Sequence, residues 1–442
     1  MNKKEQILNL VAEYIEEKHA NKKWEAGKDW VQYSGHFFDH EEYVAAVETL
    51  LNEWLVLGQD ALEFERTFPK LLGKEYGLLT NSGSSANLLM MLLAREYGRR
   101  KVIVPVAGFP TTVNPILQVG LEPIFVDIEI DSLNINIDQL ERAAKDNPDS
   151  ALTFAHVLGN PPNMDAIMEI VKRYNLLFLE DTCDGLGSTY NNKPLGSFGT
   201  VSSVSFYPAH HITMGEGGFV ACNNIPAERL MRRYREWGRA CYCTGKEANL
   251  LKNGTCKKRF SNWLPNLPKA IFDHKYVYES IGYNLKPIEI QASIGLAQMK
   301  KLPKIKEKRI DNYNTLMKIF SPYEKFFHLP RSTEQSNPSW FAFPLTIRDN
   351  VKFTRSDICM FLEEKKIQTR QYFGGNLLLQ PAYQQQYLKY KRDNWKDPAT
   401  EFSVATKVTT DTFFLGTSPV ITKEQYRWIA VCVDKFMENH NK

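Results

Sequence analysis

The sequence lacks the features that would place the protein in a membrane or on a nucleic acid. No stretch approaches the roughly 18 to 20 uncharged apolar residues that span a bilayer. The opening MNKKEQILNLVAEYIEEKHANKK mixes apolar residues with charges at helical spacing and contains no signal core. Charge is balanced too, because 55 basic and 51 acidic residues leave a net charge of +4 with no arginine-rich arm or lysine block. We therefore expect a soluble cytoplasmic protein that binds neither membranes nor nucleic acids.

Cysteine is scarce, with 7 residues in a chain of 442. So few thiols over this length cannot build a disulfide framework. In a reducing compartment each would be a free thiol, a metal ligand or a nucleophile. Cys222, Cys359 and Cys432 lie in apolar contexts that are typical of small buried side chains.

The chain does contain a regular alternation of apolar runs and helical segments. A length of 442 residues suits one large α/β domain and a smaller one. The first 65 residues are predicted to form helices joined by the aromatic-rich loop WVQYSGHFF. Helical segments then alternate with the runs KVIVPV, EPIFVDI, ALTFAHV, LLFLEDT, VSSVSFY and GGFVACN. This alternation predicts a mostly parallel sheet covered on both faces, with ligands bound outside the carboxyl ends of its strands.

These patterns divide the chain into three predicted parts. An N-terminal helical segment covers residues 1–65, a large domain covers 66–325, and a small C-terminal α/β domain covers 326–442. Within the large domain, residues 240–280 form a long polar and aromatic stretch with few periodicities. Loops of this length are usually functional.

Two polar runs follow predicted strands, and each has a structural and a chemical interpretation. Residues 80–87 (TNSGSSAN) lead into an apolar helix. Their backbone N–H groups and hydroxyls could hold a phosphate, or the serines could simply cap the helix. Residues 179–185 (LEDTCDG) place Asp181 at a strand end, where it could pair with a protonated ring nitrogen or cap a helix.

Two further runs carry histidines and an asparagine. Residues 205–218 (SFYPAHHITMGEGG) place His210 and His211 in a glycine-rich turn, either as acid–base groups or as inert surface residues. Residues 282–286 (GYNLK) enter a helix, where Asn284 is by itself compatible with an ordinary turn residue. Local sequence alone leaves these alternatives open.

In this order, the four runs resemble those of the sugar aminotransferase (DegT/DnrJ/EryC1/StrS) family of fold-type I pyridoxal phosphate enzymes, over most of the chain from about residue 50. The resemblance implies the fold of that class, a large mostly parallel-sheet domain with a smaller C-terminal α/β domain. It also implies a homodimer, in which Asn284 reaches the cofactor phosphate of the neighbouring subunit. The implied cofactor contacts are Gly83, Ser84, Ser85 and Ser205 at the phosphate, Phe109 on the pyridine ring and Asp181 at the ring nitrogen.

One position departs from the aminotransferases and changes the implied chemistry. Those enzymes carry a lysine five residues before the first glycine of Gly-Glu-Gly-Gly, and counting back from Gly215 gives His210. No lysine lies between Pro194 and Lys246. An imidazole cannot form the internal Schiff base that a lysine amine forms, so the cofactor would stay free in its amine form. His210 would then transfer protons, with His211 as the rival for this role.

The cysteines fit the same departure. Cys241 and Cys243 form a C-x-C pair, Cys256 follows in the same polar loop, and Cys183 lies two residues from Asp181. On composition alone, four thiolates suit a [2Fe–2S] cluster or a structural zinc about equally. Their order resembles the iron–sulfur branch of the keto-sugar 3-dehydrases, and the resemblance implies a [2Fe–2S] cluster. The interval from Cys243 to Cys256 is a few residues longer than in that branch, an insertion that a loop absorbs at little cost.

That branch implies a complete activity. In this activity, pyridoxamine phosphate drives the loss of the C3 hydroxyl from a CDP-linked 4-keto-6-deoxyhexose, and the cluster then reduces the product. The resemblance implies that this reaction belongs to the biosynthesis of the 3,6-dideoxysugars of lipopolysaccharide O-antigens. The electrons would come from a separate NAD(P)H-dependent flavin or iron–sulfur reductase, since the chain has no flavin or nicotinamide fingerprint. Asp184 and Tyr207 would tune the cofactor, and the predicted sugar-nucleotide contacts are Arg370, Phe373 and Asn376.

Three alternatives remain at this point. An ordinary nucleotide-sugar aminotransferase would need a catalytic lysine, and a cluster-free 3-dehydratase would contain no iron. A non-catalytic regulator on the same fold would carry a DNA-binding or partner module, for which the N-terminal segment is too small. The sequence specifies neither the nucleotide (CDP, GDP or dTDP) nor the sugar stereochemistry, because no motif sets those contacts.

Overall fold

The computed structural model describes residues 1–241, 259–387 and 397–440. In these three ranges, no helix is both long and apolar enough to cross a membrane. The α-helices are α1 (Lys3–Ala20), α2 (His40–Leu51), α3 (Gln59–Thr67), α4 (Gly83–Glu96), α5 (Pro110–Gln118), α6 (Ile137–Asp146), α7 (Met164–Arg173), α8 (Ile225–Arg235), α9 (Glu289–Phe320), α10 (Arg355–Glu364), α11 (Pro381–Tyr387), α12 (Pro398–Glu401), α13 (Ser403–Asp411) and α14 (Lys423–Glu438).

The β-strands are β1 (Tyr76–Thr80), β2 (Lys101–Pro105), β3 (Glu122–Val126), β4 (Ala151–Ala155), β5 (Leu177–Asp181), β6 (Thr189–Tyr190), β7 (Lys193–Pro194), β8 (Val201–Ser205), β9 (Gly218–Cys222), β10 (Phe260–Ser261), β11 (Phe272–Asp273), β12 (Phe327–His328), β13 (Ser336–Asn337), β14 (Ala342–Ile347), β15 (Arg370–Gln371) and β16 (Thr412–Gly416). The largest sheet has seven strands in the order β1-β9-β8-β5-β4-β2-β3. Its strands pair in parallel except at β9, which is antiparallel to both β1 and β8.

Both faces of this sheet are buried. Along β2, Val102 and Val104 belong to one apolar cluster and Ile103 to another, because successive side chains point to opposite faces. The six apolar runs of the sequence form β2, β3, β4, β5, β8 and β9. The predicted mostly parallel sheet is confirmed.

Several polar residues meet at one edge of the seven-stranded sheet. β4 ends at Ala155, β5 at Asp181 and β8 at Ser205. Ala155 pairs with Asp181 across the β4–β5 ladder, so these parallel strands end at the same edge. β1 ends at Thr80 and leads directly into α4, whose N-cap is Ser82. Ligand sites of such sheets lie beyond this edge.

Strands later in the chain form a second, antiparallel sheet in the order β12-β14-β16-β15. It has an apolar core of its own, which includes Phe343, Leu345 and Leu415. The 32-residue helix α9 packs against α2 and α3 and also contacts β14, so it connects the two sheets.

The aromatic-rich loop WVQYSGHFF crosses between the two sheets, and we call residues 30–38 the N-terminal strap. Val31 pairs in parallel with Ile367, which precedes β15. Ser34 Oγ donates a hydrogen bond of 3.2 Å to the carbonyl of Ala209, in the turn after β8. The strap is therefore attached to both halves of the molecule.

Candidate active site

A cavity of about 1040 Å³ opens at the carboxyl edge of the seven-stranded sheet, and residues of β15 and β16 close its other side. Such a volume is at the upper end for single-ligand sites, so it suits a cofactor together with a substrate. Residues assigned to function from the sequence line it: Gly83, Ser84, Ser85, Phe109, Asp181, Cys183, Asp184, Ser205, Tyr207, His210, Arg370 and Phe373.

One end of the cavity is formed by the capped N-terminus of α4. Ser82 caps α4 by accepting the backbone N–H of Ser85 at 3.1 Å, and Ser85 Oγ donates to Asn81 Oδ1 at 2.6 Å. A Cβ on Gly83 would lie 2.5 Å from the Cβ of Ser205, so only glycine lets β8 approach the first turn of the helix this closely. Hydroxyls beside a helix N-terminus form a ready phosphate site.

The floor of the cavity holds Asp181, whose orientation is specified by three donors. Oδ2 accepts hydrogen bonds of 2.9 Å from Asn87 Nδ2 and from Thr112 Oγ1, and Oδ1 accepts the N–H of Cys183 at 3.1 Å. Ser203 Oγ in turn donates to Asn87 Oδ1 at 2.5 Å. The roles of Asn87 and Thr112 were not predicted, although Asn87 ends the run TNSGSSAN and Thr112 lies three residues after Phe109.

His210 and Asp184 form a close pair at the centre of the cavity. His210 Nδ1 lies 3.6 Å from Asp184 Oδ1 and has no hydrogen-bond partner in the described ranges. Burial lowers the pKa of His210 to about 4 and raises the pKa of Asp184 to about 7. At neutral pH the imidazole is therefore uncharged and can accept a proton.

His211, the rival of His210, points away from the cavity. Its Nε2 lies 2.6 Å from the carbonyl oxygen of Ser339, and the side chain is only 3% exposed. Burial also lowers the pKa of His211. Of the two histidines, His210 alone lines the cavity.

A buried arginine of α9 holds the turn that carries His210. Arg309 Nη2 donates to the carbonyls of Ala209 and His210, both at 3.2 Å. Its Nη1 donates to the carbonyls of Trp340 at 3.2 Å and Phe341 at 3.0 Å. The sequence offers no signal for Arg309, because it lies inside a long helix with no motif around it.

We call Gly83, Asp181, Asp184, Ser205 and His210 the sheet wall of the cavity. The opposite side, which we call the strap wall, consists of Tyr33, Arg370 and Phe373. The guanidinium carbon of Arg370 lies 4.4 Å from the centre of the Tyr33 ring.

Phe373 has an unusual backbone on the strap wall. Its φ of 41° lies in the left-handed region, which bulky residues rarely adopt and which is often found at functional sites. Its ring meets the ring of Phe109 edge-on, with centroids 5.9 Å apart. Phe109 is 52% exposed, so one face of its ring is open to the cavity.

Asn376 does not reach the cavity. It is fully buried, and its amide donates to the carbonyl of Pro398 and to Thr406 Oγ1, both at 3.1 Å. Its Oδ1 accepts the N–H of Leu378 at 3.2 Å. All these bonds join the Asn376 side chain to protein groups in the interior, so the expected contact with a sugar nucleotide is not available to Asn376.

Of the remaining predicted site residues, Asn284 lies outside the cavity, and the predicted cysteine ligands are only partly within the described residues. Asn284 is exposed and lies outside the cavity lining of its own chain. Cys183 lines the cavity, where burial and the neighbouring Asp181 raise the pKa of its thiol. Cys243 and Cys256 lie outside the described residues, and within the described ranges no group of three or more His, Cys, Asp or Glu could hold a metal.

The fold and the site together define a class. A mostly parallel sheet that places an aspartate and a capped helix N-terminus around one cavity is the arrangement of fold-type I pyridoxal phosphate-dependent enzymes. The model of the DegT/DnrJ/EryC1/StrS aminotransferase family matches residues 38–434. This chain belongs to the DegT/DnrJ/EryC1/StrS aminotransferase family, as the order of its motifs predicted.

Relatives within the family include 3-dehydratases. The lipopolysaccharide biosynthesis protein RfbH of Salmonella typhimurium is 39% identical over 99% of this chain and 98% of its own length. The dTDP-4-dehydro-2,6-dideoxy-D-glucose 3-dehydratase of Saccharopolyspora spinosa is 38% identical over 98% of this chain and 92% of its own. The structure of E. coli GDP-4-keto-6-deoxy-D-mannose-3-dehydratase with bound hydrated PLP matches with a TM-score of 0.78 at 26% identity, over 92% of this chain and 99% of that one. The protein is thus an enzyme of the nucleotide-sugar aminotransferase and 3-dehydratase family.

Proposed function

We propose that this protein uses pyridoxamine phosphate to remove the C3 hydroxyl of a nucleotide-linked 4-keto-6-deoxyhexose. One observation carries the proposal: the described residues that line the cavity include no lysine, and His210 occupies the motif position of the aminotransferase lysine. Without that amine, transamination is disfavoured, whereas an imidazole remains suited to proton transfer.

The residues present fit this cofactor. The N-terminus of α4, with Gly83 and Ser205, offers N–H groups and hydroxyls to the phosphate. Asp181 offers an oriented carboxylate to a protonated ring nitrogen, and Phe109 offers an open aromatic face to the ring. When bound, the cofactor supplies an amine that condenses with the sugar ketone and a ring that accepts electrons.

His210 is the group that moves the proton in this proposal. It is uncharged at neutral pH, lies in an enclosed site and can take a proton from the carbon next to the cofactor amine. The same imidazole can return a proton to the C3 hydroxyl, which leaves as water. Asp184, whose Oδ1 lies 3.6 Å from Nδ1, would in its ionised form stabilise the imidazolium that forms when His210 takes the proton. Tyr207, which is 48% exposed, supplies a phenol at the same face of the cavity.

The names of the relatives support the reaction and the substrate class. One is a 3-dehydratase of a dTDP-linked 4-keto sugar, and another, 30% identical over 77% of this chain and 85% of its own length, is the GDP-4-keto-6-deoxy-D-mannose 3-dehydratase of Escherichia coli. RfbH belongs to lipopolysaccharide biosynthesis by its name. We propose a CDP-linked 4-keto-6-deoxyglucose as substrate, on a route to a 3,6-dideoxysugar of an O-antigen.

The proposed activity includes a [2Fe–2S] cluster held by Cys183, Cys241, Cys243 and Cys256, and a separate NAD(P)H-dependent reductase. Its support is the place of Cys183 in the cavity, two residues from Asp181, and the C-x-C pair that begins at Cys241. Such a cluster supplies electrons one at a time. After anaerobic purification we expect about two irons and two acid-labile sulfides per chain. A preparation that holds zinc, or no metal, would contradict the cluster.

A cluster-free 3-dehydratase is the second candidate. It would share its fold with the E. coli GDP-4-keto-6-deoxy-D-mannose-3-dehydratase, whose structure with bound hydrated PLP matches 92% of this chain. The same metal analysis separates the two candidates, because the second predicts that a protein without iron completes its turnover of the sugar.

We also propose a homodimer in which Asn284 completes the site of the neighbouring subunit. Three large apolar side chains are exposed: Trp54 is 48% exposed, Ile288 48% and Ile281 96%. Apolar surfaces of this kind are typical of permanent homodimer interfaces. Light scattering should give twice the chain mass, and a monomer that retains activity would contradict the proposal.

Turnover tests the whole proposal. The protein, with a reductase present, is incubated with CDP-, GDP- and dTDP-linked 4-keto-6-deoxy sugars, and the products are identified by NMR. We expect loss of the C3 hydroxyl with the CDP-linked sugar. Formation of a 4-amino sugar, or a lysine adduct trapped by borohydride and seen by mass spectrometry, would identify an aminotransferase instead.

A further inference from the structure

The N-terminal strap contributes a side chain to the cavity that no family motif explains. Tyr33 lines the cavity, yet it lies before residue 38, where the family model begins. The alignments with RfbH and with the Saccharopolyspora spinosa 3-dehydratase span 99% and 98% of this chain and therefore include the strap. The strap thus adds a surface to the cavity from outside the part of the chain that defines the family.

The position of Tyr33 is specified from several sides. Its N–H donates to Gln368 Oε1 at 3.2 Å, and its ring packs edge-on against Phe414 with centroids 6.1 Å apart. Gly416 lets the strap pass, because a Cβ there would lie 1.9 Å from the Tyr33 carbonyl oxygen. These contacts hold a long polar side chain in one place, which is what a binding residue requires.

The phenol of Tyr33 lies among polar groups of the cavity. Burial raises the pKa of Tyr33, and the nearby Arg370 only partly opposes this, so the phenol is an uncharged donor at neutral pH. Tyr207 and Asp184 are the other charged or titratable groups that act on it. Arg370 donates to the carbonyl of Thr369 at 2.8 Å, and its guanidinium forms no ion pair within the described ranges. A phenol and a guanidinium side by side form a site for an anionic oxygen.

We propose that Tyr33 is a substrate-binding residue whose phenol, together with Arg370, binds the diphosphate of the nucleotide sugar. This inference rests on the proposed function, from which the substrate class is taken. The cavity then has two anion sites on opposite walls. The N-terminus of α4 would hold the cofactor phosphate, and the strap wall would hold the substrate diphosphate and so orient the sugar toward His210.

Tyr33→Phe tests the assignment, because it removes only the hydroxyl and leaves the ring against Phe414. We expect the KM for the sugar nucleotide to rise about tenfold, the effect of losing one hydrogen bond to a charged group. The kcat should change by less than about twofold, since the diphosphate is bound equally in the ground and transition states. Tyr14→Phe on α1 is the matched control, since Tyr14 is 62% exposed and lies outside the cavity.

Calorimetry with CDP, GDP and dTDP as probes separates this inference from the proposed function. The nucleotide that binds wild type best should bind Tyr33→Phe and Arg370→Gln about tenfold more weakly. The double variant should lose less than the sum of both, since the two groups bind the same oxygens. If wild type turns over a sugar nucleotide but Tyr33→Phe binds the probe as tightly as wild type, the inference alone fails. If wild type neither binds nor converts any sugar nucleotide, the proposed function fails and the inference with it.

Discussion

The sheet wall and the strap wall of the cavity are held in place by different means. On the sheet wall, Asp181 is 3% exposed and accepts three hydrogen bonds. On the strap wall, Arg370 is exposed and donates to one neighbouring carbonyl. The groups assigned to chemistry are thus part of the core, whereas the groups assigned to substrate recognition lie on loops and edges that can change without disturbing the core.

The largest effect is expected at His210. His210→Asn should reduce the rate of dehydration about 10²- to 10⁴-fold, because it removes the group that transfers the proton. The KM should stay within about threefold of wild type, since the strap wall is untouched. Steady-state kinetics with each variant checks both numbers.

His211→Asn provides the matched comparison next to it. Because His211 bonds to the Ser339 carbonyl away from the cavity, its loss should lower the melting temperature while activity per folded molecule is kept. Equal kinetic damage in the two variants would show that the turn as a whole, and not the imidazole of His210, is required.

Asp181→Asn should have the next largest effect. The carboxylate that would pair with the ring nitrogen is lost, while the amide can still contact Asn87 and Thr112. Removing a preorganised charge of this kind typically costs about 10²- to 10³-fold in rate. Kinetics at saturating cofactor measures the loss. A rate close to that of wild type would contradict the assignment of Asp181 to the ring nitrogen of the cofactor.

A substitution of Glu180 tests how the core beneath the sheet wall contributes to stability, because Glu180 is next to Asp181 in β5 but points away from the cavity. Its buried carboxylate accepts hydrogen bonds from His156, Gly196, Phe198 and Gly199. Burial opposes ionisation, but these donors prevail and lower the pKa of Glu180. A lowered pKa stabilises the fold above the usual pKa of a carboxyl group, and this stabilisation is lost as pH falls through the folded-state value.

Glu180→Gln should therefore reduce the free energy of unfolding by about 2 kcal/mol at neutral pH. The difference from wild type should shrink below a pH of about 4, where the carboxyl group becomes protonated. Urea unfolding across this pH range measures it. A constant difference down to the lowest pH would mean that the charge of Glu180 contributes nothing.

The smallest effect is expected at Phe373 on the strap wall. Phe373→Leu keeps an apolar side chain but removes the edge-on contact with Phe109. We expect the KM to rise about threefold with an unchanged kcat, in line with the modest energy of one aromatic contact. The control Phe361→Leu on α10, outside the cavity, should leave KM and kcat unchanged. A large fall in kcat for Phe373→Leu would contradict the assignment of the strap wall to substrate binding.

Much of the fold could be predicted from local patterns. Near-continuous apolar runs between helical segments identified six strands of the main sheet, because a strand buried on both faces is apolar along most of its length. The spacing before Gly215 selected His210, and the motif order identified the family. Asn376 shows the limit of such reasoning, because a polar residue near Arg370 in sequence turned out to cap a turn in the interior.

Long-range contacts account for the residues that sequence could not predict. Tyr33 reaches the cavity only because the strap pairs with Ile367 and passes over Gly416, far along the chain. Arg309 reaches the His210 carbonyl from the middle of α9. The residues next to Tyr33 and Arg309 in the sequence form no motif that would predict a role for them. Both reach the site through contacts with segments that are distant in the sequence.

The sequence by itself predicted which chemistry is open to this protein, because an imidazole at the motif position of the lysine cannot form the internal Schiff base that an amine forms. It also determined the sheet, since apolar patterning specifies which strands are buried. The tertiary structure showed that His210, the histidine that the spacing favoured, faces the cavity while His211 does not, and it brought Tyr33 beside Arg370. Adjacent residues of a turn point in different directions, and packing of distant segments selects the one that faces the cavity.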